Sequence, residues 1–317
     1  MHKFLRNKAL PAYLMVAFIF ILGSVVIEGY TSLFSIRAML VLASFLIIAS
    51  AGQTLVMLIG GIDLSIPFVI GFANVAVAQL AADGMPFALA MLVVIAISAL
   101  LGIINGGLSS TLRVHPLIIT LGTGTALLGC VLLWTRGYPT GSAPQYINDF
   151  VSIGKSIGPF PFPWLIPATL LLAVLIVLFE TRTILGKQVY ALGSNPVAAP
   201  FVLINPLKIW TFCFAASSVL AAIAGILLLG FSGSAFADVG RPYLFQTVAA
   251  AVIGGTALSG GRGGIVGTVA GALALIQLNT LLIGLGLDQS LVQAALGALI
   301  IAVVAVYGRQ PHLGTEI

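Results

Sequence analysis

Ten stretches of the chain are continuously apolar, near residues 10–28, 38–60, 64–82, 86–108, 116–134, 164–180, 209–231, 244–258, 264–284 and 289–307. Apolar and polar residues do not alternate within them, which argues against membrane strands, and most approach the ~20 residues a helix needs to cross a bilayer. The pattern predicts an all-α integral membrane protein, a polytopic bundle of about ten transmembrane helices. Run 244–258 is short and glycine-rich, so a tilted or broken helix is expected there. Two polar connections are long: residues 135–163, rich in Pro, Gly and Ser, and residues 181–208. No linker separates independent units, so residues 1–317 read as one transmembrane domain.

Composition agrees with the pattern. Of 317 residues 60% are hydrophobic and 7% charged, whereas a soluble domain carries roughly a quarter charged residues as its polar coat. Ten crossings put both termini on one side, and Lys3, Arg6 and Lys8 assign that side to the cytoplasm. The cytoplasmic segments then hold Arg113, Arg182, Lys187, Lys208, Arg262 and Arg309 as well, nine of the 13 basic residues. The external ones hold Arg37, Arg136, Lys155 and Arg241, with Glu28, Asp83, Asp149, Asp238 and Asp288, five of the eight acids. The net charge of +5 therefore reflects topology; lipid is the expected partner and nucleic acid is not. The basic and then apolar N-terminus lacks a small-x-small cleavage site after its core and reads as an uncleaved first helix.

Chemistry is sparse. Cys130 and Cys213 lie inside apolar runs and read as small buried hydrophobes, while His2, His115 and His312 show no ligand spacing, so neither a disulfide nor a metal site is expected. No Asp, Glu, Lys, Arg or His sits well inside a predicted span, which argues against a proton-driven carrier. The run "GGRGG" (260–264) lacks the lysine of a phosphate-binding loop, and the spans hold no group of acids, His, or Ser with a base. The chain reads as a transporter component without an energy source or cofactor of its own, and not as an enzyme. Neutral amides remain: Gln53, Asn74, Asn105, Gln246 and Gln277, with Gln79, Asn279 and Gln293. Such groups suit a path for a neutral, hydroxyl-rich solute, since each donates and accepts and costs less to desolvate than a charge. The competing explanation is hydrogen bonding between helices.

One sequence echo stands out: "IGGIDLS" (59–65) and "IGGTALS" (253–259). The pairs Gly60-Gly61 and Gly254-Gly255 allow close backbone approach and positive φ, so a helix break or gate is expected at each. Asp63 is placed to cap a helix restarting at Leu64 and Ser65. After the second pair, Gly260 and Gly261 keep the turn flexible, and Gly267 and Gly271 form a GxxxG pair for tight helix contact. Both copies fall at cytoplasmic ends, which does not fit an inverted five-plus-five repeat.

Four stretches carry a resemblance to a known family: "VMLIGGIDLSIPFVIGF" (56–72), "HPLIITLGTGTALLGCVLLWTRG" (115–137), "TRTILGKQVYALGSNPVAA" (181–199) and "VAAAVIGGTALSGGRGGIVGTVAGA" (248–272). Over about residues 36–307 the chain resembles the permease subunits of bacterial ABC importers, in the ribose/xylose branch of the ribose and branched-chain amino acid permease superfamily. The resemblance implies a sugar importer of the inner membrane that works by alternating access. It implies as partners a second permease copy or paralogue, a periplasmic sugar-binding protein, and cytoplasmic ATPases that bind the ATP. The permease would meet its ATPase through a coupling helix in the loop 181–208. Gly186 and Gly193 belong to that motif; Asn195 would be the N-cap and Pro196 the first helical residue. Val197, Ala198 and Phe201 would dock on the ATPase. The chain departs from the family where "AAPFVLI" (198–204) stands in place of "AARLSGI", which puts Pro200 inside the helix and removes a basic residue and a glycine. It departs again at Leu244 and Gln246, where many sugar permeases carry acids. The rival readings are a secondary transporter or facilitator for a neutral solute, and a branched-chain amino acid permease of the same superfamily.

Overall fold

A computed structural model describes residues 9–112, 114–156, 158 and 161–307. Lys3, Arg6, Lys8, Arg113 and Arg309, on which the predicted orientation partly rests, lie outside the described residues, as do His2 and His312. Among the described residues there are twelve α-helices and no strand. The helices are α1 (Leu10–Val26), α2 (Leu33–Leu58), α3 (Ile66–Ala82), α4 (Phe87–Thr111), α5 (Pro116–Thr135), α6 (Gln145–Val151), α7 (Leu165–Arg182), α8 (Ile184–Ser194), α9 (Pro206–Ser232), α10 (Tyr243–Ile253), α11 (Ile265–Gly284) and α12 (Gln289–Tyr307). Two 3-10 turns, Ala199–Val202 and Ala237–Gly240, interrupt the connections.

Every predicted apolar run is a helix within a few residues of its expected ends. Six of them, α2, α4, α5, α7, α9 and α11, are long and apolar enough to cross a membrane, whereas α1 and α3 are apolar but have 17 residues each. The run expected to be broken is broken: α10 has 11 residues and is preceded by the turn at Ala237–Gly240.

Burial sorts the helices. α2 is buried all round from Ala43 to Ile59, as befits the centre of a bundle. It packs along α9, whose other face receives α3 and α4, while α10 and α11 cover the remaining side of α2. α4, α5 and α7 turn leucine- and isoleucine-rich faces outward, which is how a lipid-facing helix reads. Cys130 lies on such an outer face and not in the interior as expected, since the outside of α5 is itself apolar; Cys213 is buried and both thiols are free.

The two long connections lie at opposite ends of the bundle. At one end Gly141 rests on Ala78 near the end of α3, Gly230 on Ile147, and Arg37 Nε donates to the Pro161 carbonyl at 2.5 Å. At the other, α8 and the 3-10 turn after it sit under the end of α2, forming a small separate core with Leu55, Leu58, Val189, Leu192, Ile209 and Phe214.

Candidate functional site

Each half of the sequence echo ends a helix in the same way. Gly60 takes φ +81°, so the Gly61 N–H reaches back to the Val56 carbonyl at 3.0 Å; Gly255 takes φ +89°, and the Thr256 N–H reaches the Ala251 carbonyl at 2.9 Å. This is the glycine-capped helix end in which a left-handed residue satisfies the last carbonyls. The second copy is shifted by one: Gly60 is the first glycine of its pair and Gly255 the second. Gly254 stays helical, packed against Gly267 of α11 so closely that a side chain on either would strike the other's backbone. The expected GxxxG contact is therefore made, with Gly271 against Ala250.

The two breaks also meet. The Gly261 N–H donates to the Leu58 carbonyl at 2.8 Å, Gly60 lies against Ser259, and Gly260 lies against the Gly60 amide. Gly193 of α8 presses onto the Leu58 carbonyl and the Gly261 amide. Three segments that are remote in sequence thus share one backbone junction, with Gly193 of α8 as its third member.

Two carboxylates are buried beside this junction, where the sequence predicts none. Glu180 ends α7 with its carboxylate against the Ile265 N–H, at 3.3 and 3.4 Å, at the start of α11. The Tyr190 hydroxyl of α8 donates to the Gly263 carbonyl at 2.9 Å, and burial, helped by the Glu180 carboxylate, pushes this phenol well above its ordinary range, so it stays a donor. Asp63 is 1% exposed. It does not cap a helix at Leu64, because α3 begins at Ile66. Its Oδ1 accepts from the Ser65 N–H at 2.9 Å and the Ser65 hydroxyl at 2.5 Å, and its Oδ2 accepts from the Ser217 hydroxyl at 2.8 Å. The chain extends by Asn105 Nδ2 donating to Ser65 Oγ at 3.1 Å and the Thr123 hydroxyl donating to Asn105 Oδ1 at 2.7 Å. This network ties the α2–α3 break to α4, α5 and α9. Carboxylates survive burial when donors surround them; Ser65 supplies two of them locally, while Ser217 for Asp63 and Ile265 for Glu180 come from elements far away in sequence.

The segment after α8, where the resemblance implies a coupling helix, differs from its expected form. α8 ends at Ser194, so Asn195 is its C-terminal cap and not the N-cap of a new α-helix. The Asn195 side chain does accept the Ala198 N–H at 2.9 Å, but the next element is only a 3-10 turn, with Pro196 before it and Pro200 within it. Gly186 lets α8 fold back onto Phe179 and Glu180. Ala199 and Ile204 are buried as anchors, and Ala198, Val197 and Phe201 face outward, Phe201 86% exposed. Leu203, at the place of the family's missing glycine, has φ +62°, a conformation that favours glycine.

The predicted amides do not converge. Asn74 donates to the Gly225 carbonyl at 3.2 Å and accepts from the Phe236 N–H at 3.1 Å, and Asn105 belongs to the Asp63 network, so both serve helix packing. Gln53 is buried with neither amide atom paired, Gln277 is buried with Oε1 unpaired, and Gln246 is half-buried. A cavity of about 460 Å³ lies at the far end, between α6 and the end of α9, lined by Gln145, Asn148, Asp149 and Lys155; it touches none of these groups.

Comparison with known proteins gives a consistent picture. Residues 35–304 match the family described as branched-chain amino acid transport system / permease component. The chain is 34% identical over 257 residues to the autoinducer 2 import system permease protein LsrD of Escherichia coli (strain K12), and equally to that of Shigella flexneri, covering 79% of this chain and 77% of each relative. No solved structure matches the chain significantly.

Proposed function

This chain belongs to the branched-chain amino acid transport system / permease component family, and from that premise we propose that it is the membrane subunit through which an ATP-driven importer passes a small, neutral, hydroxyl-bearing solute, a sugar or a sugar-like compound. Its work is conduction and not catalysis, as in its import-permease relatives. The path makes ten crossings with both termini in the cytoplasm, the crossing before α11 being built from the turn at Ala237–Gly240 and α10. Two copies, or this chain and a paralogue, enclose the route; an external binding protein delivers the solute, and ATPases bind the ATP. Alternating access uses the glycine breaks at Gly60-Gly61 and Gly254-Gly255 with Gly260 and Gly261, and Gln53 and Gln277 offer unpaired amides to the path.

The observation that carries this reading is the outward apolar turn formed by Val197, Phe201 and Leu203, mounted through Gly193 on the junction of the two breaks. An exposed aromatic on a buried base fits an anchor for a partner cleft, and such anchors often contribute more than 2 kcal/mol, roughly 30-fold in affinity. Phe201→Asp is accordingly expected to lower recovery of the ATPase in co-purification by about that factor and to abolish uptake, with Ala198→Asp as a companion on the same turn. Normal ATPase recovery and uptake in both variants would refute the coupling role.

Orientation is tested separately. A cysteine at Ser142 should react in intact cells with a membrane-impermeant thiol reagent, and one at Lys187 should react only after permeabilisation. Equal labelling of the two would overturn the topology. The family description favours a second reading, import of branched-chain amino acids. Uptake of labelled leucine, with none of labelled ribose or xylose, would decide for it.

A further inference from the structure

The sequence assigns Asp238 and Arg241 to an external loop, but the fold places them elsewhere. Beyond α9 the chain turns back along α3. The Phe236 N–H is held by Asn74, the Ala237 carbonyl lies on Gly71, and Gly240 sits on the Pro67 carbonyl, each glycine so close that a side chain would collide. This stretch of α3 is level with the middle of a membrane-crossing helix, because the Phe68 ring packs on Gly124, near the midpoint of the 20-residue α5. The turn Ala237–Gly240 is therefore at mid-depth in the bundle. There it presents an ion pair, Arg241 Nη1 to Asp238 Oδ2 at 3.6 Å, whose side chains are 79% and 67% exposed.

Charges at that depth cannot face hydrocarbon without a cost of several kcal/mol; they face water, a polar partner or a solute. A guanidinium and a carboxylate side by side offer donors and acceptors spaced for two adjacent hydroxyls. The exposed ring of Phe245 on the next turn of chain supplies an apolar platform for the C–H face of such a molecule.

We propose that Asp238 and Arg241 line a water-filled mid-membrane cavity and bind the passing solute through a vicinal diol. This rests on the reading of the chain as a permease for hydroxyl-bearing solutes and names the side chains that would recognise them. Arg241 donates to both hydroxyl oxygens while Asp238 accepts from a hydroxyl. A zwitterionic amino acid would instead have to pull the pair apart.

The test uses the full chain in membranes with Cys130 and Cys213 replaced by alanine and Pro242→Cys introduced at the exposed position beside the pair, alone or together with Asp238→Ala or Arg241→Ala. A hydrophilic cationic thiosulfonate should label this cysteine about tenfold or more faster than Leu170→Cys on the apolar face of α7, because the reactive thiolate forms only where water reaches it. D-ribose up to the millimolar range should slow labelling while the pair is intact and not when either member is alanine, and pentane-1,3,5-triol, which has no two adjacent hydroxyls, should not slow it. Labelling as slow as at Leu170 would overturn the cavity. Fast labelling that D-ribose does not affect, or slows equally in the alanine variants, would overturn binding by the pair, and protection by pentane-1,3,5-triol or by L-leucine instead of D-ribose would overturn the diol class. The capture of the ATPase through Phe201 is read independently, so failure here and failure of the permease reading remain distinct.

Discussion

Replacing Gly267 with valine is expected to unseat α10 from α11. The side chain would enter the Gly254 backbone, and Gly254 and Gly271 lie on the same contact, so no flexible neighbour can give way. The helices would have to separate, losing the packing of Ala250, Ala251 and Val252, all buried. Overpacking of a close-packed interior costs typically 1–3 kcal/mol, and a backbone collision belongs at or above the top of that range, about 3 kcal/mol. Thermal unfolding of the detergent-purified protein, with abundance in the membrane, measures it. The comparison is Gly122→Val on α5, where an added side chain meets nothing within 4 Å and the change should stay within about 0.5 kcal/mol. If the two variants melt alike, the α10–α11 contact is not what holds the second break in place.

Asp63→Ala is the other large effect. It leaves the Ser65 amide, the Ser65 hydroxyl and the Ser217 hydroxyl without their acceptor in a buried site, and each such group left unpaired costs about 1–3 kcal/mol. Allowing for relaxation, a loss of about 3 kcal/mol or more is expected. Asp63→Asn keeps an oxygen for Ser65 and turns an amide donor toward Ser217, whose hydroxyl can accept instead, so its loss should be about 1 kcal/mol. Equal stability of the alanine and asparagine variants in chemical unfolding would show that the network does not bind the break to α4 and α9.

How much of this was legible in the sequence varies with the range of the interaction. The apolar runs marked ten of the twelve described helices, six of them long and apolar enough to cross a membrane, because apolar content is a property of each segment by itself. The broken run before α11 showed in its glycines and its length. Glycine pairs announced two helix ends, since a left-handed residue is a local demand on the backbone. The departure at "AAPFVLI", with a proline inside the expected helix, likewise announced an irregular segment, which proved to be a 3-10 turn with Leu203 left-handed where the family motif has glycine.

Other features had no local signal. Asp63 and Glu180 look like surface acids beside helix ends, and their burial depends on donors from α9 and α11, more than 80 residues away in sequence. Asn74 and Asn105 look like lining for a polar path, yet both are consumed by partners on other helices. Asp238 and Arg241 come after the end of a long helix and read as external until the chain is seen to fold back along α3. By itself, then, the sequence determined which segments form apolar helices and where they break, because hydrophobicity and backbone conformation are properties of neighbouring residues. Only the tertiary structure decided which breaks touch and which polar groups are spent or left free, because a buried group is defined by the partners that distant segments bring to it.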